Sequence, residues 1–231
     1  MTQDKIINKK TSEETKRFFQ KVYAWMFIGL VVSGTVAFIV SLNPFLYQNI
    51  ISRIWIFISL MILELALVLG LIYFIKRIPA NLAKFLFLLY SITTGLTLSV
   101  IFLVYTLGSI GSIFFMTAVM FGGMSIYGYY TKKDLTTMGH ILIMGLFGII
   151  IASIINLFLN NQLLDYVTSI IGVVIFTGLT AYDTQKIKNI NIIGNEGTEE
   201  DTKESIIGAL TLYLDFINLF LRLLRLFGKR R

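Results

Sequence analysis

Seven stretches of this chain are each apolar and long enough to cross a membrane as a helix. They run over Val22–Leu42, Ile54–Ile75, Leu82–Tyr105, Ser112–Tyr130, Gly139–Leu159, Leu164–Asp183 and Ser205–Phe227. A helix needs roughly 20 residues to span the hydrocarbon core. Inside that core each backbone amide must be satisfied within the protein, which leaves helices and closed barrels. Continuous runs of this length select the helix. The expected fold is therefore all-α, a polytopic membrane protein with one membrane domain over residues 22–231. A polar tail, residues 1–21, precedes it. Only 14% of residues are charged, against about 25% in soluble domains. No cleavable signal peptide is expected, because the first 21 residues are polar and charged.

The same composition excludes several chemistries. There are no cysteines and one histidine, His140. Disulfides, thiolate zinc sites and iron–sulfur clusters are ruled out, and a lone histidine cannot build a His-rich metal or haem site. No phosphate loop, catalytic triad or HExxH motif is present, so neither an enzyme nor a resident cofactor is expected. The net charge of +7 does not point to nucleic acid. In a membrane protein basic residues report topology and attraction to anionic lipid, the expected surroundings of this chain.

Those basic residues alternate. Lys5, Lys9, Lys10, Lys16, Arg17 and Lys21 precede the first run. Lys76, Arg77 and Lys84 flank the second connection, Lys132 and Lys133 the fourth, and Lys186, Lys188 and Lys203 the sixth. The first, third and fifth connections hold only Arg53. This places the N-terminus in the cytoplasm. The last run conflicts with that order, because a seventh crossing puts Gly228-Lys229-Arg230-Arg231 outside. Either it crosses fully, with Arg222 and Arg225 snorkelling, or it re-enters and returns. The polar loop from Lys186 to Glu204 carries Glu196, Glu199, Glu200, Asp201 and Glu204 without EF-hand spacing. It reads as a solvated linker.

Three acids stand out against the apolar background. Asp215 lies in the middle of the last run, where an acid costs roughly 2.5–3.5 kcal/mol on insertion scales. Glu64 lies near the middle of the second run. It reads equally as part of an ion path and as a neutral acid hydrogen-bonded to a neighbouring helix. Asp183 closes the sixth run as a helix-end residue. On the last helix Asp215, Asn218, Arg222 and Arg225 fall along one side. Such a stripe fits a polar seam or an aqueous path, with a packing salt bridge as the alternative. If the last two helices are neighbours, Asp183 and Asp215 can meet, provided the last helix starts below the membrane surface or the sixth ends short of it. Ala118 with Gly122 and Gly148 with Ala152 have close-packing spacing. Trp25 and Trp55 lie near run ends, as interfacial aromatics do.

Three ordered blocks carry a resemblance. Gly178-Leu179-Thr180-Ala181-Tyr182-Asp183-Thr184-Gln185-Lys186-Ile187-Lys188 resembles a signature of the Bax inhibitor-1, or transmembrane Bax inhibitor motif, family. Ala209-Leu210-Thr211-Leu212-Tyr213-Leu214-Asp215-Phe216-Ile217-Asn218-Leu219-Phe220 resembles its last-helix motif. Tyr127-Gly128-Tyr129-Tyr130-Thr131-Lys132-Lys133-Asp134-Leu135, followed by Met144-Gly145-Leu146, resembles a third. The likeness is greatest to bacterial members. It implies seven helices, the last central between two three-helix layers, and a pH-sensitive calcium leak in the inner membrane. Asp183 and Asp215 match the acid pair that senses pH, and would hold calcium transiently. Relatives latch that pair with an arginine at the position occupied here by Ile75, so Lys76 or Arg77 is the candidate latch. Glu64, Asn218 and Arg222 are candidates for the ion path. A different class of function, a non-transporting modulator of a partner such as a membrane-bound ATP-dependent protease, is implied by other relatives. The polar tail would then be a handle, against its plainer reading as a disordered topogenic segment.

Overall fold

In the computed structural model, residues 2–46, 48, 53–190 and 194–231 are described, with side chains from residue 13 onward. Lys5, Lys9 and Lys10 thus lie outside the described side chains. Seven long helices account for nearly all of it: α1 Thr2–Leu42, α2 Ile54–Phe74, α3 Ala80–Val104, α4 Leu107–Tyr130, α5 Thr136–Leu159, α6 Gln162–Ile190 and α7 Glu199–Phe227. A single helical turn, Pro44–Leu46, follows α1. Each of the seven has a membrane-spanning length and composition. No strand occurs among the described residues.

The apolar runs place every helix, but three boundaries move. α1 runs back through the polar tail as helix to Thr2. Trp25 lies inside α1, its ring edge-on to Phe87 of α3 at 6.3 Å. α6 continues about two turns beyond Asp183, so that residue is not at a helix end. α7 is one unbroken helix of 29 residues, about 43 Å long, long enough for a full crossing and without the break of a re-entrant segment. It is also the most enclosed of the seven, with 61% of its apolar window buried against 6% in α2 and in α5.

The chain sorts into two compact units. The first comprises Met1–Val104 with Lys188–Tyr213. Here the acidic connection before α7 is bound to α1 and is not a free linker. Arg17 donates two hydrogen bonds to Glu196, at 2.6 and 2.9 Å. Lys21 pairs with Asp201 at 2.5 Å, and the Gly197 amide donates to the same carboxylate at 2.9 Å. Glu14 accepts from the Gly194 amide at 2.6 Å. Glu199 accepts from the Ala80 amide at 2.7 Å, satisfying a donor at the start of α3 that has no partner in its own helix. The hydrogen bonds from Arg17 hold the Glu196 carboxyl below its usual range. This part of the clasp is present at neutral pH and weakens as acid protonates Glu196.

The second unit comprises Tyr105–Ile187 with Leu214–Arg231. Its helices touch at a few glycines. A Cβ on Gly128 would overlap the Ala181 backbone, and one on Gly139 would overlap the Tyr182 ring. Gly122 and Gly148, picked out by spacing, have nothing within 4 Å. Small-residue spacing marks a groove without saying whether another helix fills it.

Candidate functional site

The candidate site is built where α6 meets α4, α5 and α7. Residues 181–187 of α6 are held from several directions. Ala181 abuts Gly128 of α4, and the Tyr182 ring lies against Gly139 of α5. The hydroxyls of Thr184 and Ser125 of α4 are hydrogen-bonded at 2.9 Å, both buried. The Gln185 amide clips the connection between α4 and α5: its oxygen accepts from the Leu135 amide at 2.9 Å and its nitrogen donates to the Lys133 carbonyl at 2.8 Å. Two of the three sequence blocks therefore pack directly on each other. Among these neighbours Asp183 is the residue that reaches α7.

On α7 Asp215 is buried, only 5% exposed. Its carboxyl lies beside that of Asp183, which is half-buried, close enough for the two to act on each other. The sequence condition for this meeting is satisfied by the long lead-in of α7, which starts about four turns before Asp215. Phe216 beside it packs edge-to-face on Phe114 and Phe121 of α4, at 5.2 and 5.5 Å, closing the apolar wall. Asp215 Oδ2 is buried without a hydrogen-bond partner among the described residues. The cation acting on Asp183 is Lys186, one turn on, which also lies 5.9 Å over the Tyr182 ring. Sequence reading passed over Lys186 and Gln185, although both lie in the quoted signature block.

The remaining residues of the stripe behave differently from one another. Asn218 turns its amide nitrogen onto the Leu214 carbonyl of its own helix at 2.8 Å. Arg222 lies half-buried over Gly172 of α6, where a Cβ would come within 2.9 Å of its Cδ. Its Nη1 is buried and has no hydrogen-bond partner among the described residues. Arg225 pairs with Asp165 in the first turn of α6 at 2.6 Å. Asp165 carried no role in the sequence reading. Its position at the start of one helix opposite an arginine at the end of the next is a usable signal, because both charges oppose the local helix dipole favourably.

Glu64 and the two latch candidates belong to the first unit. Glu64 accepts a hydrogen bond from Thr97 of α3 at 2.9 Å. The alternative of an acid bonded to a neighbouring helix thus has its partner. Lys76 and Arg77 are exposed in the turn after α2, with no ion pair among the described residues.

Seven helices of spanning length and composition, with Asp183 and Asp215 of the last two side by side, define a polytopic all-α membrane protein. The chain belongs to the Bax inhibitor-1 family: the family described as "Inhibitor of apoptosis-promoting Bax1" matches residues 15–231. It is 47% identical to the inner membrane protein YbhL of Escherichia coli over 99% of this chain and 97% of that protein. An uncharacterized protein of Borreliella burgdorferi is 47% identical over 93% of each chain. One of Rickettsia prowazekii is 43% identical over 97% of this chain and 94% of its own.

Proposed function

We propose that this protein is a pH-sensitive calcium leak of the bacterial inner membrane, N-terminus cytoplasmic, gated by Asp183 and Asp215. The contact between their carboxyls carries the reading. On this reading one of the two carboxyls holds a proton and donates it to the other, and that singly protonated pair is the closed state. Losing that proton leaves two anions side by side. Unit charges 4 Å apart repel by about 4 kcal/mol at an effective dielectric of 20. Moving a two-state gate from 1:99 to 99:1 takes about 5.5 kcal/mol, so deprotonation supplies most of a switch.

Calcium takes six to eight oxygen ligands. Two carboxylates supply part of that shell and water the rest, which suits brief occupancy during passage. Protons and calcium then compete for the same oxygens, and flux rises with pH. The enclosure of α7 supports its place as the central helix. Purified protein in liposomes loaded with a calcium dye tests the reading. Entry above that of empty vesicles, increasing from acid to neutral pH, is expected; no entry at any pH overturns it.

The second reading, a modulator of a membrane-bound protease, draws on the helical N-terminal extension. Truncation separates the two readings only if it spares the clasp. Removing residues 2–12 should leave flux unchanged, whereas removing 2–20 also deletes Glu14 and Arg17 and should loosen the connection before α7. A protease partner lost on removing 2–12, in a protein that passes no calcium, favours the modulator.

A further inference from the structure

The far end of α7 carries a second closure that the acid pair does not need. Beyond Phe227 the chain folds back along the connection between α3 and α4. The Thr106 amide donates to the Lys229 carbonyl at 3.1 Å, and the Lys229 amide donates to Ser109 Oγ at 2.9 Å. Tyr105 and Arg230 form an antiparallel bridge. Gly228 makes the turn against the buried Tyr105 ring, which a Cβ there would approach to 2.6 Å. One turn earlier Arg225 is bound to Asp165 at 2.6 Å. The backbone strap and the ion pair thus fasten the end of α7 to α4 and to the start of α6.

We propose that this strap and the Asp165–Arg225 pair form a lock that holds α7 in the register keeping Asp215 against Asp183. It rests on the leak reading for its consequence, but not for its existence. α7 is continuous helix from Asp215 to Phe227, so a shift of this part along α6 that parts the carboxyls also drags Arg225 from Asp165 and Lys229 from Ser109. The lock therefore adds to the stability of the closed state whatever the pH. Weakening it biases the same two-state equilibrium toward opening. The pair is partly exposed, 44% and 34% for the two side chains, so its contribution is small.

The test combines an exchange measurement with flux. Hydrogen exchange on the full chain in liposomes should show slow exchange at the Thr106 and Lys229 amides. Arg225→Gln and Asp165→Asn should speed it at both amides, and removal of residues 228–231 should speed it at Thr106. The same variants should leak more at acid pH, with the flux midpoint moved to lower pH by about half a unit, since one unit corresponds to 1.36 kcal/mol. The charge swap Asp165→Arg with Arg225→Asp should restore both readouts part of the way. Fast exchange at both amides in the unaltered protein overturns the lock. Slow exchange with an unchanged flux profile in all three variants overturns its regulatory role. If the unaltered protein passes no calcium while exchange responds as expected, the leak reading fails and the lock stands as a structural one.

Discussion

Asp215→Asn should flatten the pH dependence of calcium flux, and Asp183→Asn should do the same. Asparagine keeps the shape of the side chain and can hydrogen-bond the remaining carboxyl, but it has no proton to lose. The switch disappears while the helix contact survives. A single shared proton allows at most about a tenfold change in flux per pH unit in the unaltered protein. In either variant the change from pH 5 to 8 should fall to about twofold or less. The variants need not unfold, because removing a buried acid also removes the cost of burying it. Dye-loaded liposomes give the profile, and circular dichroism with size-exclusion chromatography shows whether the fold is retained. A profile that keeps its full slope in both variants would place the pH sensor elsewhere.

Gly128→Ala should be the most damaging small change in the second unit. The added methyl overlaps the Ala181 backbone, which cannot swing aside as a side chain can. α4 and α6 must separate, at a cost of about 1–3 kcal/mol. Alanine favours the helix by about 1 kcal/mol over glycine, which offsets part of this. Gly122→Ala on the same helix has open space and keeps the whole propensity gain. Thermal unfolding in detergent should therefore show Gly128→Ala melting below the unaltered protein and Gly122→Ala at or above it. Because Ala181 is two residues from Asp183, Gly128→Ala should also disturb the pH profile of flux, which Gly122→Ala should not.

The contrast between these two glycines shows where sequence reading stops. Seven apolar runs are enough to place seven helices, since the bilayer sets one length for all of them. Asp215 was legible for the same reason: an acid in such a run has no cheap explanation. Its meeting with Asp183 followed once the blocks were matched. What could not be read is tertiary. The length of α6 beyond Asp183 is hidden because its last turns are polar, and hydropathy ends the run early. Gln185, Ser125 and Gly128 matter through partners 50 residues or more away in sequence. The acidic loop looked solvated because Arg17 and Lys21, which bind it, lie about 180 residues earlier. Lys186 acts on Asp183 from one turn along the same helix, a proximity that the signature block holds without marking.

In the proposed gate calcium takes the place of a proton shared by Asp183 and Asp215. Proton release on calcium addition measures that exchange directly, using purified protein in weak buffer with a pH indicator. At a pH where the unaltered protein is closed, calcium should release up to about one proton per chain. The double variant Asp183→Asn with Asp215→Asn should release none. Equal release from both proteins, or none from the unaltered protein at calcium concentrations that support flux, would contradict the shared-proton gate.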